Sequence, residues 1–381
     1  NQGVYRYENR GVRMGRNPYA SMVYKVDWFA FTVSDEIDTN GAEKGFVLLE
    51  NLGYDLDEFE PIPGRYFYNS GLTLGGYVNL YYNDYEKNLA RNTSNSRNYV
   101  FTGQGCTDLA QKINNDWVGL FSILKKLGVK ITRFDIALDD FNGVLSFPRM
   151  ENKLVKGHYR SSKKTYNVVK QADVNGDIKG YTLYIGSQAK SSTGTYFLRC
   201  YDKFAQYKEK AQIPPKEAID TGIWQRYEIS YTKKKARKIV DLMTDEGRTI
   251  GSVFMDTMRD IVEFLEPTKT QAKAIHKNKN RWKVSKWWQD FLDSAEKVQL
   301  GEAERDLDLG GLLRWLRVSV VPALKLLEEL GDAKGFDIHQ IIKDITPSDY
   351  SKKQKRLFNN AMKQSSREIM TYLERFKEGE Y

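Results

Sequence analysis

The sequence predicts an α+β protein, strand-rich over its first two thirds and helical over its last third. Three observations carry this. Aromatic and β-branched runs with two-residue alternation recur up to about residue 232. Glycine-containing turn signals punctuate them. Beyond residue 250 the alternation stops and apolar residues recur at helical spacing.

The strand candidates come in order. VDWFAFTV (26–33) is an aromatic strand, and GRYFYNSGLTLGGYVNLYYN (64–83) reads as strands broken by hairpin turns at Asn-Ser-Gly and Gly-Gly. A helix capped by Thr107 is expected to run on to Gly128. VKITRFDIALDDF (129–141) alternates as a strand; YTLYIGS (181–187) and TYFLRCYDK (195–203) read as a hairpin pair; WQRYEISYT (224–232) is a further strand leading into the basic run KKKARK (233–238). Helices are expected over 255–266, 284–298, 311–331 and 348–377, the last opened by Thr346-Pro347-Ser348-Asp349. The polar run 276–281 reads as a linker.

Composition narrows the chemistry. Lys plus Arg is 59 against 50 acidic residues, a net charge of +9, which favours polyanionic partners such as nucleic acid or an anionic membrane surface. No apolar run approaches the ~18 residues of a membrane span, and no secretory pattern opens the chain. The absence of Met at position 1 suggests a trimmed or mature chain. Two cysteines, Cys106 and Cys200, form no disulfide framework and fit a reducing cytoplasm. Three scattered histidines exclude a His-x-His metal site, and no GxxxxGK[ST] phosphate loop is present.

Three strands carry candidate chemistry. In RFDIALDD one face holds Phe134, Ile136 and Leu138, and the other Arg133, Asp135, Ala137 and Asp139. Two carboxylates beside a small alanine suit a hard divalent cation; a solvated face with Arg133 paired to Asp135 is the commoner explanation of such a pattern. In WQRYEISYT, Trp224, Arg226, Glu228 and Ser230 share a face, and Glu228 offers a third oxygen ligand if this strand neighbours 132–140. In TYFLRCYDK, Tyr201 lies between Arg199 and Lys203, while Tyr196 shares a face with Leu198 and Cys200. Neighbouring cations favour a phenolate nucleophile and stabilise charge on a phosphate under attack, although Tyr201 is one of 24 tyrosines. Candidate DNA contacts are Arg133 and Arg226, then Lys233, Lys234 and Lys235, then Lys279, Arg281, Lys283 and Lys286. The last group is interleaved with Trp282, Trp287 and Trp288, which suit either base stacking or a helical core. SKKQKR (351–356) is a further basic run.

VDWFAFTV, FTGQGCTDL (101–109), RFDIALDDF (133–141), YTLYIGS with FLRCYDKFAQY (181–207), and RYEIS (226–230) occur in the order seen in the Rep_trans family. That family contains replication initiators of rolling-circle plasmids from Gram-positive bacteria and related relaxases of conjugative elements. The resemblance covers roughly residues 20–240 and spreads over five segments. It implies a diverged relative of the histidine-metal (HUH) nickase fold, with a central antiparallel sheet. It further implies that Tyr201 forms a 5′-phosphotyrosine link on nicking. Arg199 and Lys203, by strand phase, would face the phosphate. Asp135, Asp139 and Glu228 would hold Mg²⁺ or Mn²⁺, with the adjacent Asp140 an alternative if the strand phase slips. Residues 1–250 would be the nicking domain, and 251–381 a helical domain for origin recognition, dimer or partner contacts, with 276–288 reading the origin. The implied partners are plasmid origin DNA with an inverted repeat and a single-stranded nick site, a second copy of the chain, and a host helicase, all in the bacterial cytoplasm. A conjugative relaxase, or a DNA-binding protein without catalysis, remains the alternative.

Overall fold

A computed structural model describes residues 19, 21–39, 46–84, 95–176, 178–187, 195–209, 214–273, 278–296, 298, 313, 316 and 320–345, with isolated positions from 355 to 377. The chain forms two compact units, residues 1–205 with 216–304, and residues 206–215 with 305–381.

The strands are β1 (Met22–Ser34), β2 (Glu60–Pro63), β3 (Ser70–Leu74), β4 (Val78–Tyr82), β5 (Ser96–Phe101), β6 (Lys130–Asp140), β7 (Tyr159–Arg160), β8 (Tyr166–Ala172), β9 (Ile178–Ile185), β10 (Tyr196–Asp202), β11 (Gln225–Thr232), β12 (Glu263–Glu266) and β13 (Lys283–Val284). The helices of the first unit include α1 (Asp35–Thr39), α2 (Val47–Asn51), α3 (Gly103–Lys112), α4 (Trp117–Lys126), α5 (Phe147–Val155), α6 (Lys203–Glu209), α7 (Lys216–Thr221), α8 (Lys234–Thr244), α9 (Ile250–Ile261), α10 (Lys269–Lys273) and α11 (Lys286–Ala295). α6 runs across the boundary into the second unit.

Ten strands form one sheet in the order β2-β3-β4-β5-β1-β6-β11-β10-β9-β8, and every neighbouring pair is antiparallel. The predicted α+β class with a central antiparallel sheet is therefore what the chain adopts. A smaller sheet has the order β13-β12-β7.

Alternation gives the large sheet two unlike faces. Phe29, Phe31, Tyr99, Phe101, Phe134, Ile136, Leu138, Tyr227 and Ile229 are buried on one face. Against it pack Leu109 of α3, Trp117 and Phe121 of α4, Val240 of α8, Phe254 of α9, and Trp288 and Phe291 of α11. Burying each such side chain contributes about 1.5–3 kcal/mol, so this face organises the unit. The opposite face carries Trp28, Arg133, Asp135, Asp139, Arg199, Tyr201, Arg226 and Glu228, and a small apolar cluster of Ala30, Tyr68, Tyr81 and Val100.

Several local expectations need correction. The helix expected from Thr107 to Gly128 is two helices. Asn114 and Asn115 both take positive φ (49° and 61°), and the Asp116 side chain caps α4. Thr107 lies inside α3 and donates to the Gly103 carbonyl. Residues 255–266 are not one helix: α9 ends at Ile261 and Glu263–Glu266 pairs as β12 between β7 and β13. The hairpin at Gly75-Gly76 forms, with both glycines at positive φ. Asn69-Ser70-Gly71 is not a turn, because Ser70 opens β3. The reversal sits earlier, where the Tyr68 amide donates to the Arg65 carbonyl and Tyr66 and Phe67 hold φ of 55° and 76°.

In the second unit, Pro322 lies in the first turn of a helix over Val321–Lys334, and Gly335 ends it at φ 78°. A helix over Ile338–Ile345 follows. Thr346–Asp349 lies outside the described residues, as does SKKQKR apart from Lys355.

Candidate active site

Register brings the three chemistry-bearing strands side by side. β11 lies between β6 and β10, pairing Glu228 with Ala137 on one side and Arg199 on the other. Tyr201 pairs with Arg226, and Arg226 with Asp139. Cross-strand partners share a face, so these residues meet on the side of the sheet away from the packed helices.

Tyr201 is buried, and its hydroxyl donates to Glu228 Oε2 at 3.4 Å and accepts from Lys203 Nζ at 3.4 Å. The Arg199 guanidinium lies 4.5 Å from the Tyr201 ring centroid and donates to Glu228 Oε2 at 2.5 Å. Arg199 Nε is buried without an acceptor among the described residues. The expectation that neighbouring cations make Tyr201 a ready phenolate does not hold for this state. Burial pushes the phenol well above its ordinary value, and Arg226 and Arg199 only partly oppose it. Burial and repulsion from Arg226 lower the Lys203 ammonium to about 8. Burial, and then the nearby charge of Asp27, raises the Glu228 carboxyl.

Asp27 is the residue that strand phase alone misses. β1 carries an irregularity between Val26 and Trp28, so Asp27 sits in a bulge and faces the site together with Trp28. Arg226 donates to Asp27 Oδ1. Burial opposes the Asp27 charge, yet Arg226, Lys203 and Arg199 outweigh it and bring the carboxyl to about 2. The start of α3 closes over this bulge: a Cβ on Gly103 would lie 3.3 Å from Asp27 Oδ1. A single acid inside the aromatic run VDWFAFTV is the signal that could have found it.

The acids expected to share a metal are each held apart. Asp139 accepts Arg226 Nε at 2.6 Å, Arg226 Nη2 at 2.7 Å and Trp224 Nε1 at 2.7 Å, and these partners keep its carboxyl below the usual range despite burial. Asp135 accepts Arg133 Nη2 at 2.5 Å and the Ser230 hydroxyl at 2.7 Å, while burial raises it to about 7 against Arg133. Four residues apart on one strand, Asp135 and Asp139 have Cα atoms about 13 Å apart at ~3.3 Å per residue, too far for both to reach one ion. Among the described residues no three His, Cys, Asp or Glu side chains group as a metal set. Asp140 faces the packed side, where it accepts the Tyr227 hydroxyl at 3.0 Å and the amides of Asn142, Gly143 and Val144.

The candidate DNA contacts scatter. Arg133 is 29% exposed on the open face and lies 4.1 Å over the Trp28 ring. Arg226 is only 4% exposed, so the expected contact with DNA gives way to the buried pairs with Asp139 and Asp27. Lys233 precedes α8, Lys234 and Lys235 open it, and all three are exposed. Arg281, Lys283 and Lys286 are exposed, Lys286 pairing with Asp290 at 2.9 Å, and Lys279 lies 4.8 Å from the Tyr159 ring. Phe291 of α11 packs on Tyr227, so the helix that Lys286 opens lies on the helix-covered side of β11. Trp282 and Trp288 are buried and Trp287 stacks on Phe264, so these tryptophans are core and not base platforms.

A family model, the Rep_trans replication initiation factor, matches residues 129–345. That is more than half of the 381 residues. The chain belongs to this family. The match contains Tyr201 and Glu228, leaves β1 with Asp27 outside, and extends beyond residue 240 into the helical part of the chain. A protein of Bacillus subtilis (strain 168) described as a DNA relaxase, NicK, is 26% identical over 285 residues, covering 73% of this chain and 77% of that one. The fold is similar to a rolling circle replication initiator protein from Geobacillus stearothermophilus, with a TM-score of 0.59 at 23% identity, covering 74% of this chain and 99% of that one. Among the described residues no helix is long and apolar enough to cross a membrane.

Proposed function

We propose that this replication initiation factor nicks one strand of plasmid origin DNA through Tyr201 and starts rolling-circle replication there. One observation carries the reading: the Tyr201 hydroxyl lies between a carboxylate, Glu228, and an ammonium, Lys203, on the sheet face opposite the packed helices.

In this reading Tyr201 Oη attacks phosphorus, the bond to the 3′ oxygen breaks, and a 5′-phosphotyrosine and a free 3′-hydroxyl result, the leaving oxygen taking up a proton from solvent. Glu228 accepts the phenol proton, and its raised pKa makes it a better base than an ordinary carboxylate. Lys203 stabilises the phenolate as it forms. Arg199 offers Nε–H, which lacks an acceptor among the described residues, to a phosphate oxygen. Attack of a 3′-hydroxyl on the phosphotyrosine reverses the chemistry, so the strand is rejoined without ATP.

The acids that fit a divalent cation are Asp27 and Glu228. They are neighbouring like charges on the open face, and two carboxylates with water and substrate oxygens suit Mg²⁺ or Mn²⁺. When bound, such an ion would polarise the scissile phosphate. Asp27 and Glu228 are themselves paired with Arg226 and Arg199, whereas Asp135 and Asp139 lie too far apart to share one ion and would act by positioning Arg133 and Arg226.

Action as a homodimer at an inverted repeat, recruitment of a host helicase and a cytoplasmic setting complete the proposal, with residues 1–250 as the nicking part and 251–381 for origin and partner contacts. The likeness to the Bacillus relaxase supports a second reading with the same chemistry, transfer of a conjugative element. Relaxation of a supercoiled origin plasmid by parent and Tyr201→Phe tests the chemistry. Nicking by the variant contradicts it, and no nicking by either with Mg²⁺ or Mn²⁺ favours a binding protein. Support of plasmid replication against support of transfer separates initiator from relaxase.

A further inference from the structure

We infer that Tyr66, packed on the buried Tyr81, and Phe67, with Trp28, Arg65 and Arg133 beside them, form a stacking platform for the unpaired bases of a DNA strand entering the site; the inference rests on the nicking reading for its direction.

Trp28 and Tyr81 sit on the sheet face that carries Tyr201, and the Tyr66-Phe67 turn adjoins them through Tyr66. Trp28 pairs across β1–β6 with Asp135, Arg133 covers its ring at 4.1 Å and also holds Asp135, and Ser230 links Asp135 back to the strand of Glu228. Trp28 packs against the cluster that holds Tyr81. The Tyr66 ring meets Tyr81 edge-on at 5.4 Å, and the Arg65 guanidinium lies 5.3 Å from the Tyr66 ring.

Folding alone gives no reason for Tyr66 and Phe67 to be where they are. Both occupy the centre of a tight turn at positive φ, a conformation that favours Gly or Asn. Both are also left in water, Tyr66 at 47% and Phe67 at 75% exposure. The turn thus holds two large rings in a strained backbone and buries neither, while its neighbours are guanidiniums. Rings for base faces and cations for phosphates are the combination that single-stranded nucleic acid recognises. Duplex bases are already stacked, so the platform selects the unpaired strand.

The test uses the full chain with Tyr201 intact, in EDTA, so that no cleavage occurs. Fluorescence anisotropy follows binding of labelled oligothymidylate, of the same backbone made abasic, and of a duplex. Phe67→Ala and Tyr66→Ala should each weaken oligothymidylate binding by about tenfold, with Phe67→Trp keeping it and thermal melting unchanged. On the abasic strand and on duplex, variants and parent should bind alike. Parent-like binding of oligothymidylate by both alanine variants overturns the platform, as does an equal loss on the abasic strand. Since cleavage plays no part, nicking by Tyr201→Phe would sink the nucleophile assignment and leave this measurement standing.

Discussion

The Tyr201 hydroxyl donates to Glu228 Oε2 at 3.4 Å, diagonally across the β10–β11 pair, and the same carboxylate is held by Arg199. That geometry makes Glu228 the acceptor for the phenol proton. Glu228→Gln should therefore slow nicking of supercoiled origin plasmid by about 10²–10⁴-fold and leave DNA binding unchanged. A variant that loses binding and keeps its single-turnover rate contradicts the role.

Lys203 gives the reaction an alkaline limit. Its ammonium loses its proton as pH rises through about 8, below the ordinary lysine value, because burial and Arg226 disfavour the charge. The charged form stabilises the phenolate, so nicking should fall above that pH. Lys203→Arg stays charged and should carry activity to higher pH. Identical alkaline limbs for parent and variant, read from initial rates across pH, would remove Lys203 from the mechanism.

Asp139 and Asp27 should separate stability from chemistry. Asp139 is fully buried and holds Arg226 with two hydrogen bonds. Asp139→Ala strands part of that buried charge and should destabilise the fold by about 3–5 kcal/mol, measured by urea unfolding.

Asp27→Asn should change the ion requirement instead. The concentration of Mg²⁺ or Mn²⁺ giving half-maximal nicking should rise about tenfold or more, while Asp135→Asn leaves it in place. The reverse result would return the ligand role to the β6 acids. Chelation with EDTA should abolish nicking by the parent.

Alternation and turn residues made most of the large sheet legible, because one face is largely apolar and register follows the pleat. The nucleophile candidate was legible for the same reason: strand phase puts Tyr201, and not Tyr196, beside Arg199 and Lys203. Three things were not. The bulge at Asp27 shifts phase by one residue, which no alternation pattern announces. The turn at Tyr66-Phe67 uses two β-forming aromatics at positive φ, against every turn preference. Arg226 and Asp139 look like surface charges in sequence, yet they neutralise one another inside the site. Charge balance of that kind depends on which strands become neighbours, and local sequence does not carry it.

The central claim is that Tyr201 Oη becomes covalently attached to DNA. A 3′-labelled single-stranded origin oligonucleotide, incubated with the protein and Mg²⁺ or Mn²⁺, tests it directly by denaturing gel and peptide mass spectrometry. The account predicts a labelled protein–DNA adduct whose phosphodiester maps to Tyr201 and which Tyr201→Phe does not form. An adduct on Tyr196 or another residue, or undiminished adduct from Tyr201→Phe, would contradict it.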